Sequence, residues 1–364
     1  MNAMTVPLFD SRTPLAPLRG KLDEAVLDVL QDGRFILGPN VAAFEQEFAQ
    51  YLGARHAIGV ANGTEALTIA LRALGVGPGD EVIVPSFTFY ASAEAIPPTG
   101  ATPVFCDIDP ETFLVTPQTV KAVMTPRTKA VIAVHLFGNV APVLEIEALG
   151  VPVVEDSAQA AGTVGPDGRP GAVGTVATFS FYPSKNLGCF GDGGAITTRD
   201  DAVAESVRTL RFHGSRDKVT YEQVGYNSRL DEIQAAVLRV MLPELTHWAA
   251  HRHLVGAWYE EAGLGDLVRL PQASPACLPA WHLYVVRHDR GDELVTGLGE
   301  RGIEARAYYR TPVHRQQAMA QWGAACDLPA TDEAARTHVA LPISAAITRD
   351  QVAEVVAAVR ASLA

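Results

Sequence analysis

Apolar and polar positions in the first fifty residues predict two helices. Residues 15–29 repeat apolar side chains at helical spacing and break at residues 31–33. Gly38 and Pro39 then interrupt the chain before residues 41–51, where apolar side chains recur at helical spacing. On the pattern alone, the segment between the two helices is an interhelix turn.

From residue 56 onward, short apolar runs alternate with amphipathic ones, which predicts strands alternating with helices. The predicted strands are residues 56–61, 81–85, 103–108, 130–135, 151–155, 176–181 and 194–198, and the predicted helices are residues 63–74, 91–95, 116–124 and 142–149. Such alternation favours an α/β fold: a mostly parallel sheet with helices on both faces, in three layers. We assign residues 1–241 to this large domain.

The last third of the chain lacks the regular alternation of strands and helices, and we assign residues 242–364 to a smaller α+β domain. A helix to about residue 210 and a polar loop precede a long helical run over residues 230–253, in which Pro243 predicts a kink. Beyond it, strands are predicted at residues 281–286 and 303–309 and helices at residues 293–301 and 350–363.

Composition fits an enzyme with a sizeable core. The chain has 364 residues, 48% of them hydrophobic, and a formal net charge of −12, which argues against a general affinity for nucleic acid or anionic membranes. Cys106, Cys189, Cys277 and Cys326 are widely spaced, so we expect reduced thiols and no metal site. Residues 1–10 lack a secretion signal, and no apolar run approaches the ~20 residues of a membrane span. We expect a cytoplasmic protein.

One lysine occupies an unusual position. An apolar, aromatic run predicts a buried strand ending near Phe181, and Pro183 then places Lys185 on a tight turn. A buried amine loses hydration and its pKa falls, as needed by a lysine that attacks a carbonyl near neutral pH. Taken alone, such a lysine is more often a solvated charge.

Two further stretches supply complementary chemistry. Asp156 ends a predicted strand, at the sheet edge where open α/β folds hold ligands. Gly63 and Thr64 begin a helix directly after a strand, which leaves free N–H groups suited to a phosphate. Pyridoxal phosphate needs these three parts: a lysine for its aldehyde, a carboxylate for its ring nitrogen and donors for its phosphate.

The chain resembles the DegT/DnrJ/StrS family of sugar aminotransferases, which have the aspartate-aminotransferase fold, fold type I. The matching stretches are residues 33–38, 63–67, 85–89, 155–159, 180–188 and 227–232. Ordered matches over most of a chain are far more specific than a lone glycine motif.

The resemblance implies further cofactor contacts. Phe89 would stack on the pyridine ring, Gln159 would donate to its phenolic oxygen, and Ser180 would bind the phosphate together with Gly63 and Thr64. Without the family likeness, Phe89 would be interpreted as a core aromatic.

It also implies a homodimer with two shared active sites. In the family, a loop reaches the neighbouring subunit, where the asparagine matching Asn227 contacts the partner's cofactor phosphate. The alternative for Asn227 is a helix N-cap. Arg229, Tyr308 and Tyr309 occupy positions where the family contacts the sugar.

The implied activity is transfer of an amino group from L-glutamate to a nucleotide-linked keto sugar. Lys185 distinguishes the chain from the family's sugar dehydratases, which carry histidine there. Residues 182–194 look more like those of family members that aminate a 3-keto sugar than like those of the 4-amino branch, which favours a 3-keto-6-deoxyhexose on dTDP. In the branch that acts on 3-keto uronic acid sugars the position of Tyr308 is usually histidine, so Tyr308 argues against a uronic acid sugar. Alternatives are a UDP-3-keto-uronic acid, a 4-keto sugar, a keto-cyclitol, or a role as a non-catalytic regulatory relative.

Overall fold

The computed structural model describes residues 6–364, so the expectation for residues 1–10 lies partly outside the described residues. The strands are β1 (His56–Val60), β2 (Glu81–Pro85), β3 (Thr102–Cys106), β4 (Thr128–Val134), β5 (Val153–Asp156), β6 (Val176–Ser180), β7 (Gly194–Thr198), β8 (Tyr284–Arg287) and β9 (His338–Leu341).

The helices begin and end close to the predicted positions in the first two thirds of the chain. They are α1 (Arg19–Asp32), α2 (Pro39–Leu52), α3 (Gly63–Ala73), α4 (Ala91–Glu94), α5 (Pro117–Lys121), α6 (Val143–Glu147), α7 (Asp201–Arg211), α8 (Glu232–Met241), α9 (Leu245–Glu261), α10 (Gly291–Glu300), α11 (Ala320–Gly323), α12 (Pro329–Thr337) and α13 (Arg349–Leu363). No helix in the described range is long and apolar enough to span a bilayer.

Among residues 6–364, seven strands form one sheet in the order β1-β7-β6-β5-β4-β2-β3. Strands β2 to β6 pair in parallel, whereas β7 is antiparallel to both of its neighbours. Because β7 alone is reversed, β1 runs in the same direction as β6. The carboxyl ends of β1, β2, β4, β5 and β6 therefore lie at one edge, and the predicted α/β class is confirmed.

Successive side chains of the sheet enter two different cores, as the pleat of a strand requires. Ile58 packs into the core shared with α3, while its neighbour Ala57 packs into the core shared with α2. On the α2 side the ring of Phe48 lies edge-on to Phe179, with 4.9 Å between the centroids. Burial of such a side chain contributes about 1.5–3 kcal/mol. The molecule thus has the three predicted layers.

The C-terminal part carries a second, smaller sheet. Strands β8 and β9 pair antiparallel, and α9, α10 and α13 supply the apolar side chains that pack with this pair. The predicted strand at residues 303–309 is wrong. That segment makes only isolated bridges, Val6 with Ile303 and Arg306 with Ala340, because the chain then turns to carry Tyr309 to Gln159. The pattern missed β9, which is the true partner of β8.

The long helical run after residue 230 is interrupted as predicted. A 3-10 turn at Leu242–Glu244 separates α8 from α9, because Pro243 has no N–H to continue the α-helical bonds. Helix α9 continues to Glu261, beyond the predicted end at residue 253. The division between residues 241 and 242 falls on this turn and stays a prediction.

Candidate active site

Four of the predicted stretches meet at the carboxyl edge of the large sheet. Asp156 is the last residue of β5 and Ser180 the last of β6, and α3 begins at Gly63, three residues after β1. Phe89 lies on the turn that follows β2. Parallel strands present their carboxyl ends at one edge, so residues far apart in sequence come together there.

Lys185 sits on a turn held by backbone hydrogen bonds. Its N–H donates to the carbonyl of Tyr182 at 2.8 Å, and the chain returns when the Cys189 N–H donates to Phe181 at 2.7 Å. A Cβ on Gly188 would lie 2.7 Å from the Pro183 carbonyl oxygen, so the turn closes this tightly only with glycine there. The predicted tight turn is confirmed.

The surroundings of Lys185 change the chemistry of its amine. Burial lowers the pKa of Lys185 to about 8, and the nearby Asp156 carboxylate opposes part of this decrease. A substantial fraction of the amine is then neutral and nucleophilic near pH 7 to 8. Burial also lowers the pKa of His282 well below its usual value, an effect reinforced by the charges of Lys185 and Arg252, so His282 is a neutral neighbour.

The Asp156 carboxylate is buried and held by two donors. The Ser92 hydroxyl donates to Oδ2 at 2.7 Å, and the Ala158 N–H donates to Oδ1 at 3.2 Å. A carboxylate has about four acceptor positions. Asp156 is therefore fixed in orientation and still able to accept from a ligand.

Gln159 links the sheet edge to the C-terminal part of the chain. Its Oε1 accepts from the Phe137 N–H at 2.7 Å, and its Nε2 donates to the Tyr309 hydroxyl at 3.3 Å. Burial raises the pKa of Tyr309, which keeps its hydroxyl protonated. The Phe89 ring lies 6.0 Å from that of Tyr309 and is 54% exposed, so its interpretation as a core aromatic is wrong.

The start of α3 forms a cradle with Ser180. Asn62 caps the helix by accepting from the Glu65 N–H at 2.8 Å, and the first two N–H groups, on Gly63 and Thr64, have no partner among the described residues. A Cβ on Gly63 would lie 2.7 Å from Cβ of Ser180, which shows how closely the helix start meets the strand end. Unpartnered N–H groups beside a hydroxyl are typical of a phosphate site.

Asn227 and Arg229 lie on a separate segment. The Arg229 guanidinium donates to the Asn227 side-chain oxygen, and within residues 6–364 neither side chain bonds to the Lys185 and Asp156 pair. The intervening Ser228 accepts from the Ala61 N–H at 3.1 Å, which anchors this segment beside the start of α3. The cap of α8 is Asp231, so the N-cap alternative for Asn227 is wrong. The Asn227 side chain is exposed.

Tyr308 is half-buried beside Tyr309, with 5.8 Å between the ring centroids. The two tyrosines therefore reach the site from the C-terminal part as adjacent residues, of which Tyr309 makes the bond to Gln159.

The geometry fits pyridoxal phosphate at three of its functional groups. The turn-borne amine, the fixed strand-end carboxylate and the helix-start cradle match its aldehyde, ring nitrogen and phosphate. This arrangement on a seven-stranded, mostly parallel sheet defines a transferase of fold type I. The sequence model of the DegT/DnrJ/EryC1/StrS aminotransferase family matches residues 18–360, and the chain belongs to that family.

Two curated relatives show how far the similarity extends. The chain is 45% identical over 362 residues to the dTDP-3-amino-3,4,6-trideoxy-alpha-D-glucose transaminase of Streptomyces venezuelae, covering 98% of this chain and 95% of that protein. It is 43% identical over 356 residues to a pleiotropic regulatory protein of Geobacillus stearothermophilus, covering 96% of each.

Solved structures agree with the fold. The S. venezuelae DesV structure superposes with a TM-score of 0.95 at 45% identity, covering 98% of both chains. NtdA of Bacillus subtilis, solved with bound cofactor PMP, superposes with a TM-score of 0.86 at 27% identity over 96% of this chain and 82% of that one. The chain is thus a pyridoxal-phosphate-dependent aminotransferase by family.

Sequence reasoning missed Thr88, Ser92 and His282 as residues around the site. Ser92 lies in a four-residue helix with no periodic pattern, and its contact with Asp156 spans 64 positions. The only available signal was a pair of hydroxyls flanking Phe89. His282 belongs to the predicted strand at residues 281–286, which identified it only as a strand residue.

Proposed function

We propose that this enzyme transfers the amino group of L-glutamate to the keto carbon of a dTDP-linked 3-keto-6-deoxyhexose. The observation that carries the transaminase assignment is the lysine of lowered pKa beside a fixed, buried carboxylate at the strand edge. The preference for dTDP and for the C3 position is supported by the 45% identity to a dTDP-3-amino sugar transaminase.

Bound pyridoxal phosphate supplies an electrophilic carbon and an electron sink to this site. Lys185 would hold it through Nζ, Asp156 would face its ring nitrogen, and Phe89 would cover one face of the ring. Gln159 would donate to its phenolic oxygen. The Ser180 hydroxyl, with the helix start at residues 63–64, would hold its phosphate.

Lys185 also moves the protons of the reaction. Its amine accepts a proton from Cα of the donor amino acid at Nζ, and a proton returns from Nζ to the carbon of the sugar that becomes aminated. A pKa near 8 suits both directions, because the amine is readily protonated and readily deprotonated at neutral pH. Tyr308, Tyr309 and Arg229 are proposed to contact the sugar nucleotide.

Replacing Gly63 with alanine should weaken the cradle. The added Cβ would lie 2.7 Å from Ser180 and force the helix start away. Overpacking of this kind lowers the free energy of unfolding by about 1–3 kcal/mol. Losing one charge-assisted bond to the phosphate should raise the Kd of pyridoxal phosphate about tenfold or more. Absorbance titration measures that Kd, and urea unfolding measures the stability.

Gly77→Ala is the matched control, because an added Cβ there meets no atom within 4 Å. It should leave the cofactor Kd unchanged. An equal loss of cofactor affinity in both variants would contradict the position of the phosphate.

We further propose a homodimer in which Asn227 reaches the partner's cofactor phosphate. One face of the subunit carries an apolar groove of about 930 Å³, lined by Leu15, Leu22, Leu27 and Phe190 among others. Exposed apolar patches on a single subunit mark interaction surfaces, and homo-oligomers are mostly twofold dimers.

Subunit mixing tests the shared site. Lys185→Ala and Asn227→Ala proteins, each impaired at limiting cofactor, should regain about a quarter of wild-type activity when equal amounts exchange subunits, because about half of the dimers are then mixed and one of the two sites in each mixed dimer is intact. If exchange restores no activity, Asn227 acts within its own subunit.

We also propose that the enzyme is cytoplasmic. All four cysteines, which lie within the described residues, are free. Free thiols are typical of proteins in reducing compartments.

A regulatory role without turnover is the second candidate, because one relative with 43% identity is named a pleiotropic regulatory protein. Product NMR with a panel of dTDP- and UDP-keto sugars and glutamate tests both. We expect a 3-amino sugar from the dTDP-3-keto substrate. A 4-amino product, or a preference for UDP sugars, would overturn the substrate assignment. If no amino donor bleaches the yellow holoprotein, the regulatory role is favoured.

A further inference from the structure

The turn after β2 and the start of α4 do more than position Phe89. Thr88 and Ser92, the hydroxyl residues that flank it, are each only 1% exposed. Their side-chain oxygens lie 3.0 Å apart, and Ser92 Oγ lies 2.7 Å from Asp156 Oδ2. The same five residues therefore carry an exposed aromatic ring and a buried connection to the carboxylate.

The donor of each of the two hydrogen bonds that join Thr88, Ser92 and Asp156 follows from the chemistry of these groups. A carboxylate only accepts, so the single Ser92 proton points at Asp156. Thr88 must then donate its proton to Ser92 Oγ. Three side chains thus form one ordered relay, Thr88 to Ser92 to Asp156, with each hydroxyl donating toward the acid.

We propose that Ser92, supported by Thr88, is a positioning residue for transamination that fixes the orientation of the Asp156 carboxylate. The terminal torsion of an aspartate is broad, so a carboxylate with a single donor can rotate. Ser92 on Oδ2 and the Ala158 N–H on Oδ1 hold both oxygens. This inference rests on the proposed role of Asp156 opposite the ring nitrogen.

Removing the hydroxyl leaves the Ala158 N–H as the one donor to the Asp156 carboxylate among the described residues. With a freely rotating carboxylate, kcat should fall about tenfold, while KM for glutamate stays within about twofold, since Ser92 touches no substrate.

The test compares Ser92 and Thr88 variants by the change in kcat relative to the change in KM, because a misplaced Asp156 carboxylate should lower kcat and leave KM for glutamate nearly unchanged. Steady-state kinetics of the holoenzyme give kcat and KM. Thr88→Val, which keeps the shape without the hydroxyl, should give changes between those of wild type and Ser92→Ala. Thr88→Ser, which keeps the hydroxyl, should behave as wild type.

These outcomes distinguish the proposed role of Ser92 from the proposed role of Asp156 on which it depends. An unchanged kcat in Ser92→Ala would overturn it and leave Ser92 as a packing residue. Equal losses in Thr88→Val and Thr88→Ser would also overturn it, because then the volume and not the hydroxyl matters. The Thr88 pair decides the question even if Ser92→Ala fails to fold. A fully active Asp156→Asn would instead contradict the proposed function.

Discussion

Lys185→Ala is expected to lower turnover by at least about a thousandfold, since both covalent attachment and general-base action are lost with the amine.

The free energy of unfolding of Lys185→Ala should change little or rise. A lysine whose pKa is lowered to about 8 by burial is more favourably charged in the unfolded chain, so below about pH 8 the wild-type protein bears the full desolvation penalty. That penalty diminishes as the pH rises from 8 toward 10.5. Coupled kinetics and urea unfolding measure the two effects.

The control for this experiment is another lysine in an exposed position. Lys121 lies at the end of α5 and is exposed, so Lys121→Ala should keep wild-type turnover. Lys185→Arg keeps the charge but cannot form the bond to an aldehyde, and should be as inactive as the alanine variant. More than about a tenth of wild-type turnover in either Lys185 variant would contradict the assignment.

Asp156→Asn is expected to reduce kcat about a hundred- to thousandfold, the range found when one preorganised electrostatic partner of a reacting group is removed. The amide has the shape of the acid, so the packing at the end of β5 should persist. The negative charge that favours a protonated ring nitrogen is lost. Steady-state kinetics and the visible spectrum of the holoenzyme measure the change.

Asp192→Asn removes the same charge from an exposed position, seven residues after Lys185 and between Gly191 and Gly193. Its kcat should stay within about twofold of wild type, because exposed charges interact weakly. Equal losses in the two variants would mean that the net charge of the region matters, and Asp156 would have no special role.

Much of this site could be predicted because its residues lie at strand ends. Asp156, Ser180 and Gly63 follow apolar runs whose strand character is evident from the sequence, and a parallel sheet brings such ends together. Lys185 was identifiable because Pro183 ends an apolar run just before it. The α/β fold of residues 56–198 follows from the alternation of strands and helices.

Other features depend on contacts that no local pattern reveals. The segment at residues 303–309 has strand-like composition, yet it pairs only at isolated points because Tyr309 turns toward Gln159, 150 positions away. Strand β9 was missed because its four residues follow α12 with no turn signal between them. Ser92 acquires its role only when β5 is placed beside it.

Borohydride reduction of the cofactor-loaded protein, followed by digestion and mass spectrometry, identifies the amine that holds the cofactor. We expect the cofactor label on the peptide containing Lys185 alone. Label on Lys21, Lys121, Lys129 or Lys218 would show that Lys185 does not hold the cofactor.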